Sequence, residues 1–278
     1  MPDNAVDAVP CEQILKMMND PWNGGTNVPT GCEYYKTYAI IPARIGSTRL
    51  PRKPLLEING LPLIIHCLNS AKSTGLFSDI IVATDSKEIL DVVEAHGGKG
   101  LLTDKGHPSG TDRVFEAASK LALGEEDIIV NIQGDQPVVH RDVVKKLIAF
   151  LEDRPDVKMA TPACPALVEE VQNPNRVKVV LSKDGLALYF SRAPIPYLRD
   201  GDTDPGYLRH IGIYAYRNGF LKQFVSLPQG RLEVIEKLEQ LRALEFGHKI
   251  GVVLVDRAPL DVDTMEDLKA VEEYLKKF

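Results

Sequence analysis

The sequence predicts an α/β protein built on a largely parallel sheet, and two observations carry that reading. From Tyr38 onward, short runs rich in Ile and Val alternate with longer segments of helical period. The runs are nearly continuous in apolar residues, as strands covered by helices on both faces must be. With 278 residues, 44% apolar and 26% charged, the chain can form one large domain or a core with a smaller lobe.

The first strand is TYAII, residues 37–41, followed by a polar loop through Lys53. A helix is expected over residues 61–73 and a strand over DIIVAT, Asp79–Thr84. Asp85 stands at the expected N-cap of the next helix, with Glu88 three residues on as a capping box and Gly97-Gly98 as its end. A short strand, GLLT, leads to the loop DKGHPSG, and the helix after it carries Val114, Ala117, Ala118 and Leu121 on one face. DIIVNIQ is the most apolar strand and breaks at Gly134; another helix and the strand KMATPAC complete this half. Ligands of such sheets sit beyond the carboxyl ends of the strands, where loops 42–53, 104–113 and 133–137 fall.

After Pro165 the rhythm changes. VKVVLS and LALYFSR read as a hairpin, SRAPIPY as an extended edge, and LRHIGIYAYR as one strand, together an antiparallel insertion around residues 177–218. A helix over residues 232–245, the strand KIGVVLV and a helix over residues 264–276 return to the α/β pattern.

Bulk properties exclude several classes. The formal net charge is −6 and the chain has no basic run, which argues against nucleic acid as a partner. No apolar stretch approaches the roughly 20 residues of a membrane span, and the N-terminus lacks the pattern of a secretory signal. Cys11, Cys32, Cys67 and Cys164 are too widely spaced for a zinc site or a redox dithiol, so reduced thiols in a cytosolic protein are expected. Residues 1–36, rich in Gly, Pro, Asn and Thr near their end, read as a flexible or surface-packed extension. Residues 37–278 read as the folded domain.

The chemistry-bearing residues cluster. PARIGSTRLPRKP places Arg44, Arg49, Arg52 and Lys53 beside Gly46 and Ser47, suited to phosphate oxygens, or else merely a solvated basic loop. It is neither a Walker A loop nor a dinucleotide fingerprint. In QGDQP, Asp135 follows a buried strand and suits either a magnesium ion or an Asx turn. In DVDTMED, Asp263 is either a helix N-cap with Glu266 completing the box, or a second metal ligand. HPSGTDR offers Ser109, Thr111 and Arg113 for a base or ribose, while Arg192, Arg209 and His210 are candidates for a substrate carboxylate. Glu239 and Gln240 lie on the polar face of the helix expected over 232–245, by default a solvated surface.

With these segments in order, residues 38–275 resemble the 3-deoxy-manno-octulosonate cytidylyltransferases, the CMP-Kdo synthetases of lipopolysaccharide assembly. The resemblance rests on IIPARIGSTRLPRKPL, IIVATDS, HPSGTDR, VNIQGDQP, NPNRVKVV, ALYFSRAPIP, LRHIGIYAYR, LEQLRAL and VDTMEDL. It implies a Rossmann-like nucleotidyltransferase fold, similar to the glycosyltransferase-A type, with a mixed sheet and a smaller antiparallel dimerisation lobe. It implies a homodimer that transfers CMP from CTP to the anomeric hydroxyl of 3-deoxy-D-manno-octulosonate, giving CMP-Kdo and pyrophosphate. Arg44, Ser47, Arg49 and Lys53 then resemble the triphosphate loop, and Ser109, Gly110, Thr111 and Arg113 the cytidine loop, with Gln133 beside the reacting centre. Asp135 and Asp263 resemble the carboxylates that hold Mg²⁺. Arg192, His210, Tyr214, Glu239 and Gln240 resemble the sugar-acid pocket. The chain departs from the family pattern at Gln136, where Glu is expected, at PLDVDTMEDL, where a Gly-containing turn is expected, and at PQGRLE, where a Ser-Pro helix start is expected. An 8-amino variant of the sugar or a nonulosonic acid stays open as the acceptor, and a non-catalytic nucleotide-binding protein is the reading from another class.

Overall fold

Alternation along single strands decides the layering. In β1 (Thr37–Ala43), Ala39 and Ile41 enter one apolar core while Ile40 enters the other. The structure, a computed structural model, describes residues 35–46, 50–199, 205–256 and 258–277. Residues 1–34 lie outside them and with them nearly all of the expected extension, as do Ser47 and Arg49.

After β1 comes a 3-10 turn at Lys53–Leu55, then a small hairpin of β2 (Glu57–Ile58) and β3 (Leu61–Pro62). Then follow α1 (Leu63–Thr74), β4 (Asp79–Thr84), α2 (Lys87–Ala95), β5 (Lys99–Leu102) and α3 (Gly110–Lys120). β6 (Ile128–Asn131), α4 (Arg141–Asp153) and β7 (Met159–Pro165) close the first half. The second half holds β8 (Lys178–Leu181), β9 (Ala187–Ser191), β10 (Leu208–His210) and β11 (Tyr214–Arg217). It ends with α5 (Asn218–Ser226), α6 (Arg231–Glu236), α7 (Leu241–Glu245), β12 (Gly251–Leu254) and α8 (Met265–Leu275).

The main sheet has ten strands among the described residues, in the order β5-β4-β1-β6-β11-β7-β10-β8-β9, with β12 also paired to β7. β5, β4, β1 and β6 are mutually parallel, as is the pair β7 and β12. β11 runs antiparallel between β6 and β7, so the expected antiparallel stretch is present but is woven into the same sheet. Helices α1, α2, α4 and α8 bury their apolar stripes on one face, and α3, α5 and α7 on the other.

Four local expectations are corrected. The helix expected from residue 61 starts at Leu63, because Asn59 (φ 48°) and Gly60 (φ 79°) make the turn of a hairpin that ends at Pro62. Ser86, and not Asp85, caps α2, its side chain accepting from Ile89 N. LRHIGIYAYR is two strands, since Ile211 and Ile213 fold inward around Gly212 between β10 and β11. The helix expected over 232–245 is broken into α6 and α7 by Lys237, which adopts a left-handed conformation (φ 54°).

Candidate active site

The carboxyl ends of β1, β4, β5, β6 and β12 open on one edge of the sheet, and a cavity of about 330 Å³ lies there. Arg44, Lys53, His107, Ser109, Gly110, Arg113, Gln133, Asp135 and Asp263 line it. Residues from four separate loops thus meet at one place.

At its floor, Lys53 Nζ stands 2.7 Å from Asp135 Oδ2 and 3.2 Å from Asp263 Oδ1. Local geometry prepares each partner. Lys53 opens the 3-10 turn with Pro54 behind it, and its side chain is only 14% exposed. Asp135 follows Gly134, where an added Cβ would lie 2.6 Å from the Pro42 carbonyl oxygen, so the loop can approach β1 this closely only with glycine. Asp263 escapes the capping role expected of it: Thr264 caps α8 and Asp267, not Glu266, completes the box. A backbone bond from Val262 N to the Asp135 carbonyl oxygen, 2.9 Å, joins the two carboxylate-bearing segments.

The loop HPSGTDR opens α3. Ser109 caps it, accepting from Thr111 N and Asp112 N, so the first amides of α3 and the positive end of its dipole face the cavity rim. Gly110 packs against Pro42, with 3.5 Å between the ring and the position of an added Cβ. His107 Nε2 is held against the Glu116 carboxylate. Arg113 is buried to 4% exposure; its guanidinium bonds Thr103 and reaches Asp85 Oδ2 at 3.0 Å. Asp85, read from sequence as a helix cap, is therefore the counter-charge that fixes Arg113.

Beyond Gln133, whose Nε2 donates to Gly212 O at 3.0 Å, lies the second group of expected residues. His210 and Tyr214 rings are 5.4 Å apart. The Thr161 hydroxyl lies 2.8 Å from Ile213 O and 3.0 Å from Ile211 O and has one hydrogen to donate to them. His210 Nε2 therefore donates to Thr161 Oγ1 across their 2.9 Å contact. Burial, with Arg209 beside it, pushes His210 down to about 3. Burial raises Tyr214 well above the ordinary phenol value, helped by the Glu239 carboxylate. Burial also raises Glu239, against the bonds it accepts from Thr111 (2.5 Å) and Ser109. Gln240 Nε2 is buried without a hydrogen-bond partner among the described residues. The break at Lys237 is what turns Glu239 and Gln240 inward, out of the solvated face expected of a continuous helix.

Arg192 is placed differently from its sequence neighbours in that group. Its guanidinium donates to Glu236 O (2.6 Å), Pro174 O (2.8 Å) and Lys237 O (3.2 Å), holding the carbonyls at the end of α6. Arg209, adjacent to His210 on β10, points to the opposite face, where it pairs with Glu170 and Asp261. Ser47 and Arg49, expected in the triphosphate loop, lie outside the described residues.

Two contacts had no reading in the sequence. Lys178 is fully buried, its ammonium donating to the carbonyls of Asn173, Arg176 and Arg192. Gln136 Nε2 donates to Asp261 Oδ1 at 2.8 Å. A contact across 125 residues of chain leaves no signal in the sequence.

Known proteins resemble this chain in sequence and fold. The family described as Cytidylyltransferase matches residues 38–250. A 3-deoxy-manno-octulosonate cytidylyltransferase of Syntrophobacter fumaroxidans is 50% identical over 84% of this chain and 94% of its own length. One of Desulfosudis oleivorans is 47% identical over 85% of this chain and 96% of its own. The solved structure of a CMP:2-keto-3-deoxy-manno-octonic acid synthetase complexed with CTP superposes with a TM-score of 0.83 at 39% identity, covering 87% of this chain and 99% of that one. By sequence and by fold, the chain belongs to the cytidylyltransferase family, among its 3-deoxy-manno-octulosonate cytidylyltransferases.

Proposed function

We propose that the protein transfers CMP from CTP to the anomeric hydroxyl of 3-deoxy-D-manno-octulosonate and releases pyrophosphate. The observation that carries the reading is the convergence of the Asp135 and Asp263 carboxylates on one cation, the Lys53 ammonium, in a cavity rimmed by Arg44 and the start of α3.

The donor set fits magnesium. Two carboxylates already meet a positive charge at one point, and among the described residues no third His, Cys, Asp or Glu joins them. A hard cation held by one or two carboxylates and completed by substrate phosphates has this composition. When bound, Mg²⁺ supplies charge neutralisation on the phosphates and makes the attacking hydroxyl more acidic.

The chain's own groups do the positioning. Arg44, Arg49 and Lys53 neutralise the triphosphate, and Ser47 of the same loop donates a hydrogen bond to it. Ser109, Gly110, Thr111 and Arg113 receive the cytidine, and Gln133 lies between that loop and the acceptor pocket. His210, as a neutral ring, Tyr214, Glu239 and the unpartnered amide of Gln240 offer both donors and acceptors to a polyhydroxylated acid. Arg192 completes the pocket's charge while bracing the Lys237 break. The hydroxyl oxygen attacks the α-phosphorus in line, the bond to the bridging oxygen breaks, and orientation with charge neutralisation supplies most of the rate.

The reading extends to a homodimer in the cytoplasm. β9 is the edge strand of the sheet and bears exposed Leu188, and Tyr197 beyond it is 87% exposed, which supports self-association there. Cys67 and Cys164 are buried, and among the described residues no helix is long and apolar enough to cross a membrane. Residues 37–278 act as one nucleotidyltransferase domain, with residues 1–36 as an appendage to it.

Pyrophosphate release from CTP and Mg²⁺ is the test, with Kdo, 8-amino-Kdo and sialic acid as separate acceptors and a no-acceptor blank. Release with Kdo alone is expected. Release only with another acid renames the acceptor, and silence from folded, CTP-binding protein refutes catalysis.

A further inference from the structure

We propose that Gln136 and Asp261 are a positioning pair that sets the separation of Asp135 and Asp263, and through it the affinity of the site for a divalent cation. The proposal rests on the reading of Asp135 and Asp263 as metal carboxylates.

Gln136 is 4% exposed and immediately follows Asp135; Asp261 lies two residues before Asp263. Two bonds cross between these segments, one from Gln136 Nε2 to Asp261 Oδ1 (2.8 Å) and one from Val262 N to Asp135 O (2.9 Å). The main-chain bond fixes one point of contact; the side-chain bond is the second, which stops the segments from pivoting about the first. Behind it, the other oxygen of Asp261 faces Arg209 Nη2 at 3.4 Å and Arg176 Nη1 at 3.8 Å. Both arginines also meet Glu170 Oε1, at 2.8 Å and 3.6 Å respectively. Asp261 is therefore anchored to β10 and to the 3-10 turn Val168–Glu170, and it transmits that anchorage to Gln136.

The chemistry of the pair is specific. Gln136 supplies an amide donor where a carboxylate would oppose Asp261 at hydrogen-bond distance, and like charges so placed repel. Its Oε1 is buried without a partner among the described residues, so a carboxylate at 136 finds no compensating donor there. Neither residue lines the cavity, so the pair acts on the reaction through Asp135 and Asp263 alone. Partners of this kind change metal affinity about 10- to 100-fold when lost.

The test is Mn²⁺ binding to the full chain, followed by loss of the free-ion EPR signal, alongside the Mg²⁺ activation constant for pyrophosphate release. Gln136→Glu and Asp261→Ala are each expected to weaken Mn²⁺ binding about 10- to 100-fold, with the KM for CTP at saturating metal within about twofold of the parent. The reciprocal double variant, Gln136→Glu with Asp261→Asn, re-forms the hydrogen bond with donor and acceptor exchanged and is expected to recover most of that loss. A merely structural pair would lower Tm without this recovery in metal affinity. If Asp261→Ala does not fold, Gln136→Glu and the double variant decide, since both preserve side-chain volume. Unchanged Mn²⁺ affinity in Gln136→Glu, or a double variant weaker than either single, overturns the proposal. Asp135→Asn and Asp263→Asn separate the two levels. If they abolish Mn²⁺ binding while Gln136→Glu does not alter it, only the positioning role fails; if they leave it unchanged, the metal reading fails too.

Discussion

Lys53 Nζ lies 2.7 Å from Asp135 Oδ2, inside the charge-assisted hydrogen-bond range, although 82 residues separate the two. The same ammonium reaches Asp263, so the position between the two carboxylates is held by the residue proposed to neutralise the triphosphate.

Asp135→Asn keeps the shape of this centre and removes a charge. Turnover is expected to fall by at least about 10³-fold, with the fold preserved. Steady-state pyrophosphate release and a thermal melt check it; near-normal kcat would remove Asp135 from the metal site.

Lys53→Met leaves the Asp135 and Asp263 carboxylates to face each other without their cation. The free variant is expected to bind Mn²⁺ more tightly than the parent, yet to turn over more slowly with a raised KM for CTP. Mn²⁺ titration without nucleotide, compared with kinetics, measures both. Weaker metal binding in the variant would mean that Lys53 supports the cation and does not stand in its place.

His210 makes stability depend on pH. Its folded pKa is depressed to about 3 from 6.5, so the unfolded chain binds more protons in that window. Stability is complete above pH 6.5 and is lost as pH falls toward 3, with a slope approaching about 1.4 kcal/mol per pH unit. Urea unfolding at pH 7, 6 and 5 should show a shallower fall for His210→Asn than for the parent. Equal slopes would exclude a buried neutral imidazole.

Arg192→Lys separates bracing from substrate binding. Three carbonyls lose a planar fork, and stability is expected to drop by about 1–3 kcal/mol. Because the Lys237 break then loosens, the KM for the acceptor should rise while the KM for CTP holds. A raised acceptor KM at unchanged Tm would assign the guanidinium to the substrate carboxylate alone.

Much of this site was legible because its signals are local. The order of strands and helices follows from apolar period, and Arg44, Lys53, Ser109 and Asp135 stand in loops at strand ends, where such sheets place their ligands. The hairpin turn at Asn59-Gly60 was equally legible, since both residues tolerate positive φ, but the helical pattern beyond it masked the signal. The choice between neighbouring caps was not legible. Asp85 or Ser86, and Asp263 or Thr264, are nearly equivalent as N-caps in isolation. Arg113 decides the first by claiming Asp85, and Lys53 bears on the second by drawing Asp263 toward Asp135.

What the sequence by itself determined was the α/β class, the run of elements and the set of charged loops, all readable within windows of a few residues. Tertiary structure alone decided which of those charges meet. It broke the helix at Lys237 to turn Glu239 and Gln240 inward, assigned Arg192 to carbonyls, placed Arg209 and His210 on opposite faces, and paired Gln136 with Asp261. The physical reason is range: periodicity and caps act between near neighbours in the chain, whereas these contacts join residues 18 to 210 positions apart, and only packing brings such partners within hydrogen-bond distance.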